Sequence, residues 1–201
     1  MSSAPITFEE PATGPVADGD NYSNRELSWL SFNERVLAEA ENPRYPLLER
    51  LRFLSISGSN LDEFMMIRVA GLVGQAQRGI DKVAIDGRTP GQQLVAIRAK
   101  LAELSERQQD IWRSLREALA MADIHIADEQ RIKPEAHEWL SNFFLEEILP
   151  VITPQALDPA HPFPFVQNEG LGLLFTLTRD ADGGQLIEMI LIPTALPRFV
   201  R

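Results

Sequence analysis

Four polar residues interrupt an otherwise apolar helical stretch at Ser57-Gly58-Ser59-Asn60, and Asp62 and Glu63 follow at once. The amide of Asn60 can both donate and accept, which makes it a candidate to contact a ligand. The carboxylates of Asp62 and Glu63, in the first turn of a helix starting here, would repel a phosphate group. The competing reading is local. Asn60 would cap a helix, with Glu63 reaching back to complete a capping box. Both readings can hold if the backbone starts the helix while the amide turns outward.

Other chemistry-bearing residues are less suggestive. Arg25, Arg35, Arg44, Arg50, Arg52 and Arg68 could aim at phosphate. Glu26, Glu34, Glu39, Glu49 and Glu63 are interleaved with them, and pairing on solvated helix faces is the preferred reading. His137-Glu138 lacks the second histidine of a zinc-protease motif, because Ser141 occupies that place. His125 lies between isoleucines and is expected half-buried in a strand. His161 sits in a proline-rich loop with no Lys or Arg between Lys133 and Arg179, so no cationic cradle supports it as a phosphoryl acceptor. No GxxxxGK[ST] loop, no GxGxxG after a strand and no metal-ligand spacing is found. No catalytic or metal-binding residue is assigned.

The elements that must position Asn60 follow from periodicity. Residues 1–20, rich in Pro, Ala, Gly and acidic side chains, read as a disordered tail. Ser23 and Glu26 signal the start of a first helix with Leu27, Leu30, Leu37 and Ala40 on its apolar face, beside Trp29, Phe32 and Val36. Asn42-Pro43 and Pro46 end it. A second helix with Leu47, Leu48, Leu51 and Leu54 inward is expected to stop at Ser57-Gly58-Ser59. A third, from Asn60, would carry Leu61, Phe64, Met65 and Leu72 on one side.

Thr89-Pro90-Gly91-Gln92 is a capping signal for the longest helix. Its Leu94, Ile97, Leu101, Leu104, Gln108, Ile111 and Leu115 make three heptads with one polar member. That seam suits either intramolecular packing, the preferred reading, or a coiled-coil dimer. Glu103 and Arg107 are placed for an i,i+4 pair. Beyond Met121, Ile124-His125-Ile126 reads as a short strand and Pro134 to Ile148 as a helix. Leu171 to Thr178 and Leu186 to Ile192 read as a hairpin around Asp180-Ala181-Asp182-Gly183-Gly184. Such a hairpin alone would leave a face uncovered. The fold class is therefore α+β, an all-α helical bundle over 21–122 followed by an incomplete α+β domain over 123–201.

Composition bounds the function. The chain has 201 residues, a net charge of −10 and no cysteine. Disulfides and thiolate metal sites are excluded, a cytoplasmic setting is suited, and a polyanion such as nucleic acid is repelled at long range. No apolar run is long enough for a transmembrane helix, and the N-terminus lacks a signal-peptide pattern.

Arg25 to Ala70 (RELSWLSFNERVLAEAENPRYPLLERLRFLSISGSNLDEFMMIRVA) closely resembles the N-terminal domain of bacterial polyphosphate kinases. Val151 to Val166 (VITPQALDPAHPFPFV) resembles the beginning of that family's head domain. The resemblance runs from about Asn24 to Arg201. It implies a reversible transfer of the terminal phosphate of ATP to polyphosphate through a phosphohistidine in C-terminal domains outside this chain. It also implies magnesium held by ligands not in this chain, and ATP contact through Asn60, whose amide suits an adenine edge or a ribose hydroxyl while Asp62 and Glu63 turn the phosphates away. Polyphosphate would be bound mainly elsewhere. A homo-oligomer, cytoplasmic and compatible with peripheral membrane association, completes what it implies. The contrasting expectation, which needs no catalytic residues, is a stand-alone helical module that dimerises or binds a partner helix through the Leu94 to Leu115 seam.

Overall fold

The computed structural model describes residues 22–127, 132–158, 160 and 162–200. The expectations for the 1–20 tail and for His161 lie outside them. The chain divides between Asp123 and Ile124 into two compact units.

The first unit is helical. Helix α1, Arg25–Glu41, starts at Asn24, whose Oδ1 accepts from the backbone N–H groups of Glu26 and Leu27. Asn24, rather than the exposed Ser23, is the cap. It sits buried because its Nδ2 also donates to Gln93 Oε1 at 3.1 Å. Asn42 ends α1, and Arg50 satisfies one of its last carbonyls by donating from Nε to Ala40 O at 2.8 Å.

Helix α2, Leu47–Glu63, runs straight through Ser57-Gly58-Ser59-Asn60. A π-helical stretch, Phe64–Val69, and helix α3, Ala70–Gln77, continue it without a gap. The expected break after the second helix is therefore absent. Gly in a helix interior costs about 1 kcal/mol, an amount that burial of one face readily exceeds. The wider π turn also resets which side chains face inward. Phe64, Val69 and Leu72 are buried, while Met65 is exposed. Leu48, expected inward, is exposed too; Leu47, Leu51 and Leu54 pack on the core.

Helix α4, Pro90–Met121, begins with the expected Thr89–Gln92 capping box. It packs against α1, α2 and α3. Ile97, Leu104, Ile111 and Leu115 are buried in one cluster with Leu30, Leu37 and Phe64, and Leu94 and Leu101 pack against it. The heptad seam is thus the core of this unit. Arg107 pairs with Glu41 of α1 rather than with Glu103, and Glu103 lies 3.9 Å from Lys100.

In the second unit, Ile124-His125-Ile126 forms no strand, and His125 is exposed rather than half-buried. Helix α5, Pro134–Phe143, continues through a π-helical stretch, Phe144–Ile148, and a short 3-10 turn, Leu149–Val151. Strands β1 (Pro154–Ala156), β2 (Gly172–Thr178) and β3 (Gln185–Leu191) form an antiparallel sheet in the order β1-β3-β2. The β2–β3 hairpin is the one expected. Its turn closes with Gly183 at φ 69°, a conformation glycine adopts without steric cost. β1 adds a third strand that three residues starting with proline do not announce.

Candidate functional site

Asn60 lies in the interior of α2, so it does not cap a helix. Its carbonyl accepts from Phe64 N–H, as an interior residue's does. Freed from capping, its side chain donates from Nδ2 to Asn33 Oδ1 across the α1–α2 interface, at 3.1 Å. Asn33 is completely buried and donates its own Nδ2 to Ser57 O at 3.0 Å. Ser57 is equally buried, and its Oγ accepts from Gln108 Nε2 of α4 at 2.9 Å. A polar chain Gln108–Ser57–Asn33–Asn60 therefore crosses three helices inside an apolar core. The Ser57-Gly58 pair that looked like a joint is part of this contact. Ser57 supplies both a hydroxyl and a carbonyl to neighbours, and the buried polar groups find partners as burial requires.

Asn60 opens onto a cleft of about 440 Å³ between α1 and the α2–π segment. From α1, Trp29 and Phe32 supply its aromatic surface. From the other side come Asn60, Glu63, Phe64 and Ile67. Trp29 stacks on Phe64 with ring centroids 4.6 Å apart and planes 12° from parallel, which stiffens the floor. Phe32 is 47% exposed, leaving ring surface for a ligand. Arg25 and Arg68 stand at the same cleft, 3.8 and 3.3 Å from Glu26. One carboxylate thus lies between two guanidiniums, with Glu63 as a second acidic group. Net charge in the cleft is balanced, which suits an uncharged nucleoside better than a triphosphate.

The remaining arginines follow the pairing expectation in part. Arg52 pairs with Glu49 at 3.8 Å, whereas Arg35 donates to Ser31 O and Arg50 to Ala40 O. Glu34 instead takes Lys100 at 2.6 Å, a contact that raises the lysine pKa. Asp62 is exposed. Among the described residues no group of three or more His, Asp or Glu could hold a metal ion. His137 lies on α5, where its carbonyl accepts from Ser141 Oγ at 2.8 Å. Among the described residues no helix is long and apolar enough to cross a membrane.

The sequence singles out Asn60 as a candidate but not Asn33, Trp29 and Phe32, which the structure places beside it. For Asn33 a signal existed. It occupies one place in the stripe Leu30, Asn33, Leu37, Ala40, as Gln108 does in its heptad. A single amide in each of two apolar stripes is the mark of a buried polar contact.

The family model for the polyphosphate kinase N-terminal domain matches residues 22–127, and that for the polyphosphate kinase middle domain matches 135–201. A polyphosphate kinase of Erythrobacter litoralis is 68% identical over all 201 residues, which span 28% of its length. One from Prochlorococcus marinus is 45% identical over 190 residues, 94% of this chain and 27% of the relative. The crystal structure of polyphosphate kinase from Porphyromonas gingivalis superposes with a TM-score of 0.71 at 32% identity. That match covers 89% of this chain and 26% of that one. This chain belongs to the polyphosphate kinase family, and it spans little more than a quarter of the relatives it matches.

Proposed function

We propose that these residues form the adenosine-facing wall of a polyphosphate kinase. That enzyme reversibly transfers the terminal phosphate of ATP to polyphosphate through a phosphohistidine carried outside the 201 residues. The observation that supports this best is the Asn60 amide, held at the edge of an aromatic cleft in a chain of this family. Phosphoryl transfer depends on positioning and charge neutralisation. The cleft can do the first for the nucleoside, and its paired arginines do little of the second. Magnesium, which neutralises the triphosphate, is then bound with the phosphates by other parts of the enzyme. Polyphosphate meets those parts as well, consistent with the −10 charge here. The second unit belongs to the head domain through which a cytoplasmic homo-oligomer assembles. A stand-alone dimerisation module is disfavoured, because the Leu94 to Leu115 seam is buried within its own unit.

The test is Asn60→Ala in a full-length polyphosphate kinase beginning with this segment. Loss of a neutral hydrogen bond, about 1 kcal/mol, raises KM for ATP roughly five- to tenfold at little change in kcat. An unaltered KM removes Asn60 from the site. The isolated 201 residues should make no polyphosphate from ATP, and robust synthesis by them would overturn the proposal.

A further inference from the structure

We infer that Asn33 is a positioning residue that fixes which way round the Asn60 amide is presented, and so makes the cleft select an adenine edge over a 6-oxopurine. The inference rests on the reading above, that Asn60 meets the nucleotide. The two ends of an asparagine amide are alike in size and opposite in hydrogen-bond character. Rotation about the terminal torsion exchanges them easily when nothing holds them. Here something does. The Ser57 carbonyl can only accept, so Asn33 must turn Nδ2 towards it, at 3.0 Å. Asn33 Oδ1 is then an acceptor, and Asn60 must turn Nδ2 towards that, at 3.1 Å. Reversing Asn60 alone would set two carbonyl oxygens against each other. Reversing both would set Asn33 Oδ1 against Ser57 O. Either leaves acceptor facing acceptor beside a residue with no solvent exposure, where water cannot relieve it. Gln108 holds Ser57 in place from α4 through the hydroxyl, at 2.9 Å.

The consequence is a fixed order of groups at the cleft. Asn60 keeps its carbonyl oxygen and one N–H for a ligand, with the oxygen turned away from Asn33. An acceptor beside a donor matches the amino group and adjacent ring nitrogen of adenine. Hypoxanthine and guanine carry an oxygen where adenine carries the amino group, and that oxygen would meet the amide oxygen. Phe32, exposed on the same cleft, offers the stacking surface that holds the base at this edge.

The experiment compares ATP with inosine triphosphate, which carries an oxygen and an N1–H where adenine has its amino group and an unprotonated N1, in a full-length polyphosphate kinase beginning with this segment. The wild type should prefer ATP by about tenfold or more in kcat/KM, because the wrong analogue leaves polar groups opposed. Asn33→Ala releases the Asn60 amide, and the preference should fall towards one, mainly through a higher KM for ATP. A merely structural loss would lower both substrates together and keep the ratio. Asn33→Ser is the second variant should Asn33→Ala fold poorly, with the same expected fall. Equal use of both nucleotides by the wild type overturns the inference whatever the variants do. An unchanged ratio in the Asn33 variants, with the ratio lost in Asn60→Ala, removes Asn33 but keeps Asn60 at the nucleotide. No effect of Asn60→Ala on ATP removes the reading beneath both.

Discussion

The two units treat their apolar residues in opposite ways. In the helical unit, leucines and isoleucines from four helices close on one another, and the polar groups admitted among them are hydrogen-bonded. In the second unit, β2 is exposed along its whole length, and Leu173, Leu174, Phe175 and Leu177 all lie open. Met189 on β3 is the one fully buried hydrophobic residue among those described there. A closed core can hold a side chain in one orientation, and an open sheet cannot. The difference explains why the ordered cleft with a fixed amide belongs to the helices.

The largest effect should come from placing a charge in each region in turn. Leu104 of α4 is 1% exposed and Leu174 of β2 is 64% exposed. Leu104→Lys buries an unpaired ammonium and should cost more than about 4 kcal/mol, enough to unfold the helical unit in a urea or thermal melt. Leu174→Lys in the same 201-residue chain should shift stability by no more than about 0.5 kcal/mol. A Leu104→Lys chain that stays folded and only changes its mass in solution would make the seam an interface. The comparison would then break.

Much of this contrast was legible in the sequence, and the exceptions have physical causes. The heptad of α4 and its capping box are strong signals because each needs several residues to agree. The β2–β3 hairpin was legible for the same reason, from two strand-like runs around an Asp/Gly turn. Ser57-Gly58-Ser59 misled because propensity is a local quantity. The two hydrogen bonds at Ser57 come from residues 24 and 51 positions away in sequence. The π turn that shifts burial from Met65 to Val69 has no one-residue signature. For the cleft, Asn60 was legible as a polar interruption and through the family resemblance. That its amide turns to Asn33 depends on the α1–α2 crossing, which periodicity alone does not fix.

A smaller effect sharpens the comparison at its polar centre. Gln108→Leu keeps the volume and removes the donor to Ser57 Oγ. The hydroxyl can turn back to a carbonyl of its own helix, which limits the loss. The expected cost is about 1 kcal/mol, read as a shift in urea midpoint at unchanged slope. A gain in stability would show that the amide is held for orientation at the expense of packing. A cost above about 3 kcal/mol would mean that Ser57 has no second partner.

The smallest effect is a pH dependence at the loop leading into α4. The Asp86 side chain is almost wholly enclosed, and Arg88 Nη1 donates to its Oδ2 at 2.6 Å. Enclosure alone would push this carboxyl up, but the Arg88 guanidinium, together with the nearby Asn24 side chain and Arg88 backbone, holds it below its ordinary 3.8. A carboxylate held down in the folded state stabilises the fold above its unfolded pKa, and that contribution disappears as pH falls through the lower, folded value. Wild type should therefore exceed Asp86→Asn in melting temperature at neutral pH, and the gap should narrow in acid below 3.8. Because the same loop joins the Asn24 cap of α1 to Gln93 of α4, the loss should appear first as looser docking of those two helix starts. Amide hydrogen exchange at Glu26 and Leu27, whose N–H groups Asn24 caps, should rise in Asp86→Asn at neutral pH. Exchange there that matches the wild type would confine Asp86 to its own turn.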